Sequence, residues 1–508
     1  MSVELEGPGV TISDVLAIAR GGEEVHLSDA AVERMGVTRR IVKHMAEGEP
    51  AYGVSTGFGA LASKAIPPDR RASLQRSMIR SHAAGMGPAV ETEVVRAMMF
   101  LRARTLALGA SGARPLIAET LARMLNAGVV PVVPEHGSLG ASGDLAPLAH
   151  VALVLIGEGE VLTGAGVREG MTAMAEAGIE PVELVEKEGL ALINGTDGIL
   201  GMLCLAVHDA SHLLTVADIV ASLSVEGLLA TDRAYAADLM ALRPHSGQAS
   251  SAANLRRVLG GSPIVASHRH GDDRVQDAYS IRCTPQVHGA ARDTLEFVRG
   301  VAGRELAAAI DNPMVLPDGR VESCGNFHGA PVAMAADYLA IAMAEVGAIS
   351  ERRLDRLLDF NRSQGLPPFL AADPGVDSGL MIGQYTAAAM CAENRRLAAP
   401  AVVDSYPTSA MQEDHVSMGW SAARKLRRVI ENLRRILAIE WVTAARAVDL
   451  RAPLAPADAT SAAVGLLRTR VRGPGPDRPL APELAAAEQL LAEEALVAAV
   501  EKVTGALE

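Results

Sequence analysis

Apolar positions recur every three to four residues over most of this chain, the period of a helix with one buried face. The clearest stretch is Leu426, Ile430, Leu433, Leu437 and Trp441, with Arg427, Arg428, Arg434 and Arg435 between them. That spacing predicts one apolar stripe on a helix of roughly eight turns. Comparable helices are expected over 330–358, through Tyr338, Ile341, Val346 and Ile349, and over 198–229. Long helices in series, rich in small residues, predict a central bundle packed side by side. The N-terminal third reads as shorter helices over about 30–47, 70–84 and 90–108, joined by glycine-rich loops, with short strands at 129–133 and 161–164. The run RGPGPDRP at 472–479 is a turn-rich loop, followed by an amphipathic helix over 482–503. The expected fold is therefore mainly α: a mixed N-terminal region, 1–195, then the long-helix bundle with C-terminal helices, 196–508.

Composition narrows the picture. Of 508 residues 49% are apolar but only 3% aromatic, so the core is built from Ala, Leu, Val, Ile and Met. That favours close-packed helices over a β-sandwich. A formal charge of −13 argues against nucleic acid as a partner, because phosphate binding needs a basic surface. Cys204, Cys283, Cys324 and Cys391 are scattered without a C-x-x-C pair, as expected of free thiols in a reducing compartment. No basic region followed by an apolar stretch opens the chain, and no uncharged apolar run is long enough for a bilayer. A cytoplasmic protein is expected.

The chemistry centres on GSLGASGDLAPLAH at 137–150. Where the backbone folds back tightly, the Gly143 amide nitrogen can attack the Ala141 carbonyl carbon. Loss of that water, and of the Ser142 hydroxyl as a second, leaves a five-membered 4-methylidene-imidazol-5-one (MIO), an electrophile that no side chain supplies. Glycine lets its nitrogen approach without a side-chain clash, serine carries the leaving hydroxyl, and alanine keeps the ring uncrowded. The triplet alone is weak, for Gly109-Ala110-Ser111-Gly112 spells the same letters. That earlier copy reads as a helix-terminating turn.

The full string resembles the signature of the aromatic amino acid ammonia-lyases. Further segments in family order are similar to the histidine-specific ammonia-lyases: YGVSTGFG from Tyr52, LQRSMIRSHAAGMG ending at Gly87, EGLALINGT ending at Thr196, QDAYSIRCTPQ from Gln276, SCGNFHG from Ser323 and SAMQEDHVSMGW ending at Trp420. The resemblance implies a fold of the aspartase/fumarase type, a homotetramer with active sites shared between subunits, and MIO formed from Ala141, Ser142 and Gly143. It implies deamination of L-histidine to trans-urocanate and ammonia, the first step of histidine breakdown. By the same resemblance Tyr52 is the catalytic tyrosine, and Asn194 and Tyr279 surround the electrophile and the substrate's amino end. Arg282 grips the substrate carboxylate, which a guanidinium can do through two parallel N–H bonds. Gln276 and Phe327 line the cavity. Taken alone, Arg282 would read as a surface arginine and Asn194 as a turn or cap residue.

Ser81, His82 and Glu413 bear on substrate choice. An ionised Glu facing a phenyl ring would be desolvated without a partner, at several kcal/mol; an imidazole N–H supplies the partner, so Glu413 becomes a selectivity device. His82 adds a second polar contact. Either Tyr52 or Glu413 is the acceptor of the β-proton. The alternatives are an ammonia-lyase or 2,3-aminomutase for tyrosine or phenylalanine on the same scaffold, or a non-catalytic helical homologue. His268, His270, Asp272 and Asp273 have metal-ligand types but no recognisable second cluster, so no metal is expected. The glycines of 53–59 do not spell a phosphate-binding fingerprint, so no nucleotide is expected.

Overall fold

The computed structural model describes residues 2–46, 56, 64, 66–164, 166–272 and 274–508. Its contacts divide the chain into two compact units. One comprises Met1–Ala206, Arg299–Asp337 and Pro400–Arg424; the other comprises Val207–Val298, Tyr338–Ala399 and Lys425–Glu508.

The expected long helices form, as Asp197–Gly227, Ala330–Leu358 and Gly419–Asp449. A fourth, Thr284–Leu306, was hidden by Gly289, Gly300 and Gly303, which break its apolar period. In the last of the three expected helices, Leu426, Ile430, Leu433, Leu437 and Trp441 are all buried, as the spacing requires. Stretches of Asp197–Gly227 and Ala330–Leu358 are long and apolar enough for a bilayer, but 78% and 61% of those stretches is buried inside the chain, which marks them as core helices.

All the described strands belong to the first unit. Ser2–Leu5 pairs in parallel with Glu24–Leu27. Val130–Pro131, Glu160–Thr163 and Gly166–Glu169 make a three-stranded antiparallel sheet, and Met86–Ala89 lies antiparallel to Pro134–His136. Helix Thr92–Ala107 runs through the middle, buried on every side. Its three buried arginines donate to backbone carbonyls: Arg96 to Ile18 and Leu125, Arg102 to Asn194 and Ile310, Arg104 to Glu305 and Ala308.

The second unit is helical. Arg353 and Glu440, both fully buried, pair through Nε–Oε1 at 2.5 Å and Nη2–Oε2 at 3.0 Å, with Ser224 and Ser350 donating to the same carboxylate. Two expectations need correction here. Tyr338 and Ile341 do not face the core; they are 47% and 46% exposed, beside exposed Phe297, while Leu339, Met343 and Val346 face inward. The terminal helix is also two helices, Ala481–Ala492 and Ala495–Thr504, broken at Glu494 with φ +57°. In one continuous helix Leu496 would point about 140° away from Leu491. The break turns Leu496 and Val500 inward, so both pairs of apolar residues are buried.

Candidate active site

The loop carrying Ala141-Ser142-Gly143 is held at both ends. Gly140 and Gly143 both have positive φ, +69° and +78°, so the backbone doubles back over the triplet. Gly143 forms an isolated parallel bridge with Gly195, and the Asp144 amide donates to the Gly195 carbonyl at 2.6 Å. A Cβ on Gly143 would fall on that carbonyl, and one on Gly140 would fall on the Ser417 hydroxyl. On the other side, the Met418 amide donates to the Leu139 carbonyl at 2.9 Å. Ser138 closes the turn from within: its hydroxyl accepts from the Gly140 amide at 3.2 Å and donates to Asp144 Oδ1 at 3.1 Å. A tight reversal with glycine at both hinges fits the residues that MIO formation needs.

Beneath the loop, Asp144 is fully buried, and its Oδ2 accepts from the amides of Gly198 and Ile199, both at 2.9 Å. It thus caps the N-terminus of helix Asp197–Gly227 from a distant part of the chain. Burial still dominates: desolvation, with the nearby Asp197 charge, pushes the Asp144 carboxyl up to about 7 against the pull of those amides and Ser138.

Asn194 follows helix Glu188–Ile193 and precedes Gly195, so the glycine bridge fixes it next to the loop. It is 2% exposed. Its Nδ2 donates to the Asn312 carbonyl at 2.9 Å and to Asp311 Oδ1 at 3.3 Å, while Oδ1 has no hydrogen-bond partner. A buried acceptor left open beside a reactive loop is a place for a ligand's donor.

The segments that carry Phe327 and Glu413 meet at the neighbouring residues His328 and His415. His328 stacks on His415, ring centroids 5.8 Å apart, and its Nε2 lies 3.2 Å from the His415 carbonyl oxygen. Glu413 itself is partly buried, and its Oε2 accepts from the Thr408 hydroxyl at 2.8 Å. The two residues also form an antiparallel bridge that closes a left-handed turn, with Ser409, Ala410 and Met411 all at positive φ. Non-glycine residues pay for that conformation in strain, which places a fixed carboxylate at the base of the turn.

Ser81 and His82 end helix Arg71–His82. His82 Nδ1 lies 2.8 Å from the Met78 carbonyl oxygen, so it carries a proton and donates there. Four residues on, strand Met86–Ala89 pairs with Pro134–His136 at the start of the loop, and the Gly85 amide donates to His150 Nε2 at 3.1 Å. The first unit therefore holds Ser81, His82, Ala141, Ser142, Gly143, Asn194, Phe327 and Glu413.

Gln276, Tyr279 and Arg282 belong to the second unit. Tyr279–Arg282 is a single helical turn, and the Arg282 guanidinium lies 4.5 Å from the centroid of the Tyr279 ring. Tyr279 is 70% exposed. The Tyr235 hydroxyl supports the turn by donating to the Ile281 carbonyl at 2.9 Å. Tyr52 lies outside the described residues, as does Asp273. Asp272 is taken by Arg274, which holds its carboxyl down to about 2. Among the described residues no three His, Cys, Asp or Glu side chains gather as a metal site.

Sequence reasoning passed over Asp144, Ser417, Thr408, Lys187 and Asp311. Asp144 and Ser417 lay inside quoted motifs, and their position was a usable signal. Nothing local distinguished the other three, because their partners come from other parts of the chain or, for Thr408, from a turn with no sequence signature.

The chain is 62% identical over 504 residues to a histidine ammonia-lyase of Streptomyces griseus, covering 98% of each. Its fold is similar to that of a tyrosine aminomutase from Streptomyces globisporus, with a TM-score of 0.94 at 38% identity over 100% of both chains. It is similar too to a histidine ammonia-lyase from Trypanosoma cruzi, with a TM-score of 0.91 at 39% identity over 99% of this chain and 96% of that one. The sequence pattern of aromatic amino acid lyases matches residues 10–469, and the chain belongs to that family.

Proposed function

We propose that this chain deaminates L-histidine without oxidation, giving trans-urocanate and ammonia. The observation that carries this reading is the Ala141-Ser142-Gly143 turn, pinned by Gly195 and Ser417 beside the open acceptor of Asn194. Formed from that triplet, MIO supplies an electrophilic carbon and an electron sink. The other groups bind, orient and move protons. Asn194 Oδ1 accepts a hydrogen bond from the substrate's amino group. Arg282 holds the carboxylate through a two-pronged contact. Glu413, with Oε2 occupied by Thr408, offers its other oxygen to the imidazole N–H, and His82 makes a second polar contact with the ring. Tyr52 or Glu413 takes the β-proton.

The full-length likeness to a histidine ammonia-lyase supports histidine over other aromatic amino acids. Tyr279 is exposed, as are Phe297, Tyr338 and Ile341, which supports self-association as a homotetramer whose sites draw on more than one copy. The four cysteines are unpaired, in keeping with a cytoplasmic enzyme. The test is ultraviolet absorbance of the purified protein with L-histidine, L-tyrosine and L-phenylalanine in parallel. Urocanate from histidine alone is the expected result. Cinnamate or coumarate would overturn the substrate. A β-amino acid product would make the chain an aminomutase, the activity named for the Streptomyces globisporus structure.

A further inference from the structure

Lys187 is an unusual residue for its place. Its side chain is fully buried, and its backbone is left-handed at φ +73°. A lysine loses much hydration there, and burial pulls its pKa down while Asp311 opposes the pull. Strain and a buried charge together need compensation, and one partner supplies it: Lys187 Nζ donates to Asp311 Oδ2 at 2.7 Å. Asp311 is itself 1% exposed, and its Oδ1 accepts from the Asn312 amide at 2.7 Å and from Asn194 Nδ2 at 3.3 Å.

An asparagine amide can turn over, exchanging its donor and acceptor ends. At Asn194 both neighbours, the Asp311 carboxylate and the Asn312 carbonyl, are acceptors. The nitrogen must therefore face them, and the oxygen must face the other way. Lys187 Nζ holds the Asp311 carboxylate by Oδ2 and so leaves Oδ1 turned toward the Asn194 nitrogen, beside the Asn312 carbonyl. Arg102 fixes the same residue by its backbone, donating to the Asn194 carbonyl at 2.9 Å.

The geometry points to Lys187 and Asp311 as positioning residues for Asn194, a buried relay that keeps its amide oxygen turned out as the acceptor for the substrate's amino group. The inference rests on the proposed deamination of histidine. Neither residue touches substrate; both act through Asn194.

The test is a double-mutant cycle on kcat/KM for L-histidine, using Lys187→Met and Asn194→Ala, with each protein normalised for ring content by intact mass. Lys187→Met is expected to lower kcat/KM about 10- to 100-fold, the usual scale for a residue that orients a contacting group. In the Asn194→Ala background it is expected to change kcat/KM less than about 2-fold, because the group it orients is gone. An equal loss in both backgrounds, or no loss in either, overturns the proposal. Should Lys187→Met fail to fold, Lys187→Arg, which keeps the charge but displaces it, runs the same cycle. A crystal structure of whichever variant folds separates this inference from the functional reading: the Asn194 amide turns away from Asn312 if the relay holds it, and stays if it does not. A wild-type protein inert toward histidine would sink the functional reading alone.

Discussion

Two copies of Gly-Ala-Ser-Gly lie about thirty residues apart in the same compact unit, at 109–112 and 140–143. Both are turns, and both put their two glycines at positive φ. They differ in what surrounds them. The first follows helix Thr92–Ala107, the Gly109 amide donating back to the Leu106 carbonyl at 2.9 Å, and a Cβ at Gly112 would meet the methyl groups of Val42 and Val315. Its Ser111 is 2% exposed, and the first residue after the turn, Ala113, is buried and apolar. The second is walled by the Gly195 backbone and the Ser417 hydroxyl; its Ser142 is only partly buried, and the first residue after the turn is the buried Asp144. Four identical letters set the local chain reversal in both places. The packing around them decides which turn ends a helix and which one is pinned against Gly195 and Ser417.

The largest expected effect separates the two serines. Ser142→Ala leaves no hydroxyl to lose, so intact mass should show no loss of water and kcat/KM should fall on the order of 10³-fold or more. If that protein kept its activity, the contrast between the copies would collapse.

The next effect concerns Asp144, which the first copy lacks. Its carboxyl is pushed up to about 7 in the folded chain, against about 3.9 when unfolded. The folded state therefore holds the proton more tightly. The resulting stabilisation is present below about pH 4 and lost as pH rises toward 7, on the order of 4 kcal/mol at most. Asp144→Asn removes the titration, so the gap between the melting curves of wild type and variant should change across that window. A gap independent of pH would show that burial does not govern Asp144.

Smaller effects compare the glycines. Gly143→Ala drives a Cβ into backbone that cannot rotate away, and should destabilise by about 3 kcal/mol. Gly112→Ala meets a valine methyl that can move, and should cost about 1–2 kcal/mol, measured by urea unfolding. Equal costs would mean that the two walls are equally soft. Ser111→Ala should change stability by less than about 1 kcal/mol and leave turnover intact.

Much of this was legible in advance. The period of Leu426, Ile430, Leu433, Leu437 and Trp441 gave a helix with those residues buried. The motifs that carry Ala141-Ser142-Gly143 and Asn194 meet at the Gly143–Gly195 bridge, and those that carry Phe327 and Glu413 meet where His328 stacks on His415. The inward face of helix Ala330–Leu358 was misread at Tyr338 and Ile341, because an apolar surface and an apolar core have the same period. The relay from Lys187 to Asn194 had no local sign at all, since Lys187 and Asp311 stand 124 residues apart.

The sequence by itself determined the three long helices with an unbroken apolar period and the turn at each Gly-Ala-Ser-Gly. These depend on side-chain period and on glycine's freedom at positive φ, which act over a few residues. Tertiary structure alone decided the state of Asp144, the direction of the Asn194 amide and the placement of Glu413 against Thr408. A buried polar group takes its charge and orientation from whatever donor or acceptor the fold sets beside it. For Asp144 that partner comes from 54 residues along the chain, and for Asn194 from 117.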